Sequence, residues 1–168
     1  MKKRILLIIT IIIAAVIFAH SAADAQTSTI ESDAAFGLLE RIAAFLHLPN
    51  LFNAYTIRKL AHFCEFAAFG FFLSATAHAY TDSFKKNIFC ILFFLLAVPV
   101  TDETIQYFSE GRTPLVRDVL LDFSGGLFGL LICFLFVCII SAVKKLNKLQ
   151  NLHLINKRER HTILTRQK

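Results

Sequence analysis

Long apolar runs alternate with short polar stretches along this chain, and the apolar residues come in blocks. A helix needs about 17–25 apolar residues to cross the hydrocarbon core of a bilayer. Four runs approach or reach that length, and the predicted spans cover approximately residues 5–23, 60–80, 88–108 and 116–143. The pattern therefore predicts an all-α fold, a four-span transmembrane helical bundle.

The first apolar run has two interpretations. It follows the basic residues Lys2, Lys3 and Arg4 and ends near Ala23, as the apolar part of a cleavable signal peptide does. Extended through Ala23, the same run also reaches the roughly 17 residues of a short spanning helix. The residues alone leave both interpretations open, and in either case the chain emerges on the outer side near residue 25.

A polar interlude at residues 26–56 separates the first run from the second. Ser32 and Asp33 can cap a helix within it. Apolar side chains then fall on one side of that helix, opposite Glu40 and Arg41; they are Ala35, Phe36, Leu38, Leu39, Ile42, Ala43 and Leu46. This segment predicts one short amphipathic external helix that lies in the membrane interface or packs on the bundle.

The composition excludes an ordinary soluble domain. Hydrophobic residues make up 56% of the chain and the mean hydropathy is +0.61, whereas about half of a typical soluble domain is apolar. The 18 phenylalanines suit lipid-facing surfaces better than a soluble core of this size. The lipid bilayer is therefore the expected partner.

The net charge of +6 would fit a nucleic-acid-binding protein, but its distribution does not. Three basic residues lie within the first four positions, two are Lys85 and Lys86, and eight follow Val143. These groups flank apolar runs and form no patch on a folded domain. No nucleic-acid partner is expected.

The same distribution predicts the orientation, because cytoplasmic segments of membrane proteins are enriched in Lys and Arg. Both termini and the 81–87 loop are predicted to be cytoplasmic, so residues 20–57 and 101–115 face outside. Residues 1–143 form the predicted membrane domain. Residues 144–168 form a basic cytoplasmic tail that is expected to be loosely ordered.

Acidic residues of three predicted spans lie at a similar depth. With a rise of about 1.5 Å per residue, each lies about 5–10 Å inside the outer end of its helix. A charge at the bilayer centre costs about 2.5–3.5 kcal/mol, so these carboxylates must face one another, water or cations. The acidic residues are Glu65, Asp102, Glu103, Asp118 and Asp122, and the cations on the same side are Arg58, Lys59, His62, Arg112 and Arg117.

Helical spacing places these groups on shared faces. The stripes, with spacings of three or four residues, are Arg58–His62–Glu65, Asp102–Gln106 and Asp118–Asp122. Gly125, Gly126 and Gly129 continue the last stripe, and small residues four apart let a neighbouring helix approach closely. The acidic face of the fourth span is therefore expected to face the inside of the bundle.

Two interpretations of this charged cluster stay open. Its ion pairs could form a structural network that locks three helices together without any ligand. Alternatively, the groups line a polar pocket that opens outward, since charge within a membrane favours a functional site. The candidate binding residues are Arg58, Lys59, His62, Glu65, Asp102, Glu103, Gln106, Arg112, Arg117, Asp118 and Asp122.

Chemistry suggests roles within such a pocket. His62 can act as acid, base or metal ligand, and Arg112 and Arg117 suit a phosphate. The H-x-x-E pair of His62 and Glu65 could share a divalent metal with a carboxylate of another helix. The sequence allows a metal cofactor and requires none. If the site is catalytic, the candidates are His62, Glu65, Asp102, Glu103, Asp118 and Asp122.

Three motifs occur in order along the spans, namely RKLAHFCEF at 58–66, DETIQYFSEGR at 102–112 and RDVLLDFSG at 117–125. They resemble the R-K-x-A-H-x-x-E-[YF], D-E-x-x-Q-x-F-x-x-G-R and R-D-V-x-x-[ND]-x-x-G motifs of the VanZ-like family. The resemblance covers residues 1–143. Two positions depart from the family pattern, because Asp122 replaces a frequent Asn and Glu110 replaces the usual Pro.

The resemblance implies that the first span is retained, and it implies a cell-envelope role in the bacterial cytoplasmic membrane. The founding member is associated with resistance to the glycopeptide antibiotic teicoplanin. The leading hypothesis is a non-catalytic protein whose outer pocket binds a lipid or cell-wall precursor head group and influences glycopeptide susceptibility. One alternative is an intramembrane enzyme acting on a phosphate- or sugar-bearing envelope lipid. Another is an ion-coupled transporter, which the nearly uncharged inner halves of the spans disfavour.

Overall fold

A computed structural model of the protein describes residues 2–22, 53–109 and 113–166, with residues 151–166 as backbone only. Every element in these ranges is an α-helix: α1 (Lys2–Ala22), α2 (Ala54–Thr81), α3 (Phe84–Tyr107) and α4 (Val116–Arg166). The predicted all-α fold is confirmed. The predicted amphipathic external helix falls outside the described residues.

All four helices are long and apolar enough to cross a membrane, over Lys2–Ala22, Tyr55–Thr81, Phe84–Tyr107 and Val116–Gln150. Large apolar side chains are exposed along them, among them Phe89 and Phe93 on α3. Soluble monomers rarely expose apolar patches of this extent, whereas a bilayer covers them with acyl chains. The chain is a membrane protein.

Polar side chains determine where α2 begins and ends. The Oδ1 atom of Asn53 accepts a hydrogen bond from the backbone N–H of Thr56 at 2.8 Å, which satisfies a donor that a helix start leaves without a partner. This cap places the start of α2 earlier than the predicted residue 60. At the other end Asp82 adopts a left-handed conformation (φ 53°), and its N–H donates to the carbonyl oxygen of His78 at 2.8 Å. Only Asp82 and Ser83 separate α2 from α3, so the two helices are antiparallel neighbours.

Helix α1 packs between α2 and α3 along its length. Its Thr10 hydroxyl shares a hydrogen bond with that of Thr76 on α2 at 3.0 Å. The Lys3 ammonium lies 5.1 Å from the centre of the Tyr80 ring. Apolar side chains of the three helices form one buried cluster of Ile17, Phe66, Phe69, Ile91, Leu95 and Val98. The first apolar run is thus an integral helix of this bundle.

Glycines allow α4 to approach α2 closely. A Cβ added at Gly125 would lie 2.5 Å from the carbonyl oxygen of Phe63. One added at Gly129 would collide with the carbonyl oxygen of Ala67, and one added at Gly70 with the backbone of Gly126. The glycine face of α4 is therefore in contact with α2, and the acidic stripe of α4 lies on the same side.

Gly129→Ala is expected to lower the free energy of unfolding by about 1–3 kcal/mol, because overpacking of this kind forces a backbone shift. The colliding atom at this position belongs to the α2 backbone and cannot move away by a rotamer change. The effect can be measured by denaturant titration of the detergent-solubilised protein.

Gly126→Ala is the matched control. Its new methyl group would meet Cδ2 of Leu95 at 2.9 Å, which is the end of a flexible side chain. We expect this substitution to be close to neutral. Equal losses at Gly126 and Gly129 would contradict a backbone-to-backbone approach of α2 and α4.

Contacts divide the chain into two compact units, residues 1–133 and residues 134–168. The first contains α1, α2, α3 and the beginning of α4. The second contains the rest of α4, whose backbone stays helical as far as Arg166. The expectation of a loosely ordered tail differs from this finding, because residues such as Lys, Leu and Gln favour helix and no Gly or Pro interrupts them.

Candidate functional site

A cavity of about 230 Å³ lies where α1 and α3 end and α2 and α4 begin; we refer to this end of the bundle as the cavity end. Exposed Tyr55, Thr113 and Leu115 form its rim, whereas buried Gln106 and Asp122 lie deeper. Helices α2, α3 and α4 all contribute to the wall, which comprises Tyr55, Arg58, Lys59, His62, Glu103, Gln106, Thr113, Leu115, Asp118 and Asp122.

A salt bridge between Lys59 and Asp118 joins α2 to α4 in the cavity wall. Both side chains are largely buried, with 21% and 15% of their surfaces exposed. The Tyr55 ring contacts both neighbouring cations, with the Lys59 ammonium 5.5 Å and the Arg58 guanidinium carbon 5.8 Å from its centre. Lys59 is therefore neutralised by Asp118, whereas Arg58 forms no salt bridge with any described residue.

Asp102 is completely buried and is held by side chains of α1 and α3. The Ser21 hydroxyl donates a hydrogen bond to Oδ1 of Asp102, and the Gln106 amide donates to Oδ2 at 2.9 Å. The hydroxyl of Ser109 donates to the backbone carbonyl of Ser21 at 3.0 Å. These bonds fix the orientation of the carboxylate and attach the end of α1 to α3.

Glu103 caps the beginning of α4. Its Oε2 atom accepts a hydrogen bond from the backbone N–H of Leu115 at 2.9 Å. The first N–H groups of a helix lack intrahelical partners and carry partial positive charge, so a carboxylate is favourable there. Glu103 thus positions α4, and with it Asp118 and Asp122, against α3.

His62, Asp102 and Asp122 come together from three different helices. One nitrogen or oxygen atom of each lies within 4.8 Å of the corresponding atoms of the other two. Asp122 is 2% exposed, and its Oδ1 atom accepts no hydrogen bond from any described residue. This grouping of an imidazole with two carboxylates has the chemistry of a metal site or of an acid–base pair.

The structure places most of the predicted site residues at the cavity end. On the wall are Arg58, Lys59, His62, Glu103, Gln106, Asp118 and Asp122. Asp102 lies buried beside His62 and Asp122. Arg117 is exposed and is not part of the described wall, and Arg112 lies outside the described residues.

Glu65 has a different environment from the one its spacing indicates. It shares a face with His62, but its Oε1 atom lies 2.9 Å from Nδ1 of His20 on α1. It is not among the described residues of the cavity wall. The pairing of His62 and Glu65 around a metal stays a prediction, and among the described residues the carboxylates grouped with His62 are those of Asp102 and Asp122.

Sequence reasoning missed Ser21, His20 and Tyr55. The first two lie in the run that also resembles a signal peptide, an interpretation that removes them from the mature protein. Their polar character at the end of an apolar helix was the available signal, because a buried polar side chain needs a partner. Tyr55 precedes the predicted start of the second span, and only the Asn53 cap places it within α2.

Comparison with known proteins gives a family assignment. The model of the VanZ/LLP1 family matches residues 6–137, which is well over half of the chain and includes the whole cavity wall. Searches of curated proteins and of solved structures returned no significant match. The chain therefore belongs to the VanZ/LLP1 family.

Proposed function

We propose that this protein binds the phosphate-bearing head group of an envelope lipid or lipid-linked cell-wall precursor. The observation that carries the proposal is the polar cavity itself, which opens between α2, α3 and α4 and has on its wall Arg58, an arginine that forms no salt bridge with any described residue. No described salt bridge involves Arg58, so its guanidinium is available to an anion.

Basic residues support an outward-facing cavity. Lys3 lies beside Tyr80 at the end of the bundle opposite the cavity, and Lys85 and Lys86 begin α3 at that same end. Because Lys and Arg are enriched on the cytoplasmic side, the cavity end faces the outer side of the bacterial cytoplasmic membrane. The cavity is then accessible to lipids of the outer leaflet.

The wall is suited to a ligand that carries hydroxyl groups as well as phosphate. Lys59 and Asp118 neutralise each other, and Glu103 is occupied by a backbone N–H. Arg58 remains for phosphate oxygens, while the Asp122 carboxylate and the amide oxygen of Gln106 remain for hydroxyl or amide donors. Lipid-linked sugars combine these two kinds of group.

The cavity volume favours a head group over a whole lipid. Sites for drug-sized ligands enclose roughly 300–1,000 Å³, whereas this cavity encloses about 230 Å³. The acyl or prenyl chain would stay in the bilayer, against exposed apolar faces such as that of Leu120 and Val116 on α4.

Farnesyl phosphate is a suitable probe, with farnesol as the ligand that lacks only the phosphate. We expect the detergent-purified, full-length protein to bind farnesyl phosphate at least 10-fold more tightly than farnesol in titration calorimetry. Arg58→Gln should weaken farnesyl phosphate binding by about 10–100-fold, since a hydrogen bond to a charged group contributes about 1.5–3 kcal/mol.

Arg117→Gln is the matched control, because Arg117 is also an arginine of the cavity end but lies exposed, away from the described wall. It should bind farnesyl phosphate as the wild type does. Equal binding of farnesol and farnesyl phosphate, or equal losses in the two arginine variants, would refute head-group recognition in this cavity.

Hydrolysis of such a lipid is the second candidate function. The observation that favours it is the proximity of His62 to two buried carboxylates, an arrangement that can activate water. It predicts release of phosphate or sugar from an envelope lipid by the purified protein, and loss of that release in Asp122→Asn. Stable binding without turnover supports the binding function instead.

A protein that binds cell-wall precursors would alter how glycopeptides act on the cell. We therefore propose that expression in a susceptible bacterium changes the inhibitory concentration of teicoplanin. Cells that produce the Arg58→Gln variant at an equal level should have the same inhibitory concentration of teicoplanin as cells without the protein.

A further inference from the structure

The carboxylate of Asp122 lies in the deep part of the cavity wall and is 2% exposed. Its Oδ1 atom accepts no hydrogen bond from any described residue, and neither of the described salt bridges involves it. Buried carboxylate oxygens normally have a partner, and burial of an ionised carboxylate is costly unless a positive group compensates it. Asp122 therefore indicates a partner that the ligand of the cavity supplies.

The other two carboxylates of the described wall are already engaged. Asp118, one turn before Asp122 on α4, pairs with the Lys59 ammonium. Glu103 accepts the hydrogen bond of the backbone N–H of Leu115. Within the described wall, Asp122 is therefore the carboxylate that stays available to a ligand that enters the cavity.

An ammonium group suits Asp122 better than a hydroxyl group does. A hydroxyl donates one neutral hydrogen bond, whereas a primary ammonium carries three donors and a positive charge. Hydrogen bonds between charged groups are roughly twice as strong as neutral ones. A second acceptor lines the cavity as well, because Gln106 donates to Asp102 through its amide nitrogen and keeps its amide oxygen for a ligand.

Arg58 and Asp122 lie at different depths in the cavity. Arg58 is half-buried and Asp122 is buried, and their helices α2 and α4 both begin at the cavity end. At a rise of about 1.5 Å per residue, Arg58 lies about 6 Å and Asp122 about 9 Å from the start of its helix. A head group that ends in an ammonium has its phosphate between that ammonium and the lipid chains. Head-first entry thus brings the ammonium to Asp122 and the phosphate to Arg58.

We propose that Asp122 selects a ligand that carries a primary ammonium close to its phosphate, as the ethanolamine phosphate head group of a lipid does. The phosphate oxygens accept hydrogen bonds from Arg58, and the ammonium donates to Asp122 and to the amide oxygen of Gln106. Each charge of the zwitterion then meets an opposite charge of the wall. This inference deepens the proposed function and rests on it for the phosphate contact.

Two short-chain lipids with identical acyl chains test the selection, in buffer with EDTA so that no metal ion contributes. We expect the detergent-purified, full-length protein to bind dihexanoyl phosphatidylethanolamine at least about 10-fold more tightly than dihexanoyl phosphatidylglycerol in titration calorimetry, because a charge-assisted hydrogen bond replaces a neutral one. N-acetylation of the ethanolamine removes its charge and should abolish the preference in the wild type. Asp122→Asn should bring the ratio of the two affinities to about one.

Glu65→Gln is the matched control, because Glu65 is also a carboxylate near the cavity end but lies beside His20 and away from the described wall. It should keep the wild-type ratio. Arg58→Gln should weaken the binding of both lipids and leave their ratio unchanged. Circular dichroism and size-exclusion chromatography confirm that the variants used are folded.

The ammonium can belong to an aminoalkyl phosphate or to an amino-sugar phosphate, and competition against bound phosphatidylethanolamine distinguishes these sources. Free phosphoethanolamine is compared with ethylene glycol phosphate, and glucosamine 6-phosphate with glucose 6-phosphate. In each pair an ammonium replaces one hydroxyl. We expect phosphoethanolamine to compete better than its hydroxyl analogue; a larger difference within the sugar pair assigns the ammonium to an amino sugar.

The proposal is overturned if the wild type binds neither lipid, binds both equally, or keeps its preference in folded Asp122→Asn. An equal loss of preference in Glu65→Gln overturns it too. The two proposals fail separately. Equal binding of both lipids that Arg58→Gln weakens rejects the ammonium and keeps phosphate recognition. A preference for phosphatidylethanolamine that depends on Asp122, with equal binding of farnesyl phosphate and farnesol, does the reverse.

Discussion

Replacing Lys59 with Met is expected to lower the free energy of unfolding by about 3 kcal/mol. The substitution leaves the largely buried carboxylate of Asp118 without its cation, and removal of one partner from a buried pair costs about 3–5 kcal/mol. Asp122 and Glu103 line the same cavity, so repulsion among carboxylates adds to the loss. Denaturant titration in a mild detergent gives the value.

Asp118→Asn in the Lys59→Met background should restore most of the lost free energy of unfolding, because the uncompensated charge is then gone. A double-mutant cycle over these two positions isolates their coupling. The pair of His20 and Glu65 provides the comparison, since 49% and 29% of its side-chain surfaces are exposed and exposed pairs contribute about 0–1 kcal/mol. Similar coupling in both pairs would contradict a buried bridge between α2 and α4.

Phe66→Ala is expected to lower the free energy of unfolding by about 2–4 kcal/mol. Phe66 is fully buried in the cluster formed by α1, α2 and α3. Loss of a buried phenylalanine in a soluble protein costs about 3–5 kcal/mol. The expected value is somewhat lower in a membrane, because lipid is as apolar as the core and mainly the packing contribution remains.

Phe89→Ala is the control for this prediction. Phe89 is 85% exposed on α3, where a bilayer or detergent would surround it. We expect a change within about 0.5 kcal/mol, the usual range for exposed positions away from special contacts. A loss at Phe89 as large as that at Phe66 would mean that the face of α3 carrying Phe89 is covered by protein, for example by a second copy of the chain.

The helices of this protein could be predicted from its sequence because a membrane imposes a simple pattern. Each span must satisfy its backbone internally and expose apolar side chains over about 20 residues. The ends of the helices are harder to predict from the sequence than the helices themselves. The sequence pattern predicts a second span that begins after Arg58 and Lys59, whereas the Asn53 cap starts α2 at Ala54. Charged residues near a membrane surface extend a helix as readily as they end it.

The sequence predicts the end of the bundle at which the candidate site lies, but it does not predict which of the site residues contact one another. Similar depth and helical spacing bring His62, Asp102 and Asp122 to the same end of the bundle. Spacing places a residue on a face of its own helix but does not identify the neighbouring helix. For that reason the pairing of Glu65 with His20, and the exposure of Arg117, could not be derived from the sequence.

Helix α1 has a larger role at the site than its apolar sequence indicates. Its last turn provides Ser21, which holds Asp102, and His20, which lies beside Glu65. A chain cleaved after residue 25 would lose both partners. The cavity end therefore keeps these two contacts only if α1 is retained.

Native mass spectrometry of the full-length protein, extracted from bacterial membranes in mild detergent, tests the proposed function most directly. We predict that the wild type and Arg117→Gln retain a phosphate-bearing lipid at about one molecule per chain. Arg58→Gln, equally folded and equally abundant, should have lost it. Absence of such a lipid from the wild type, or its equal retention in Arg58→Gln, would contradict a head-group site in this cavity.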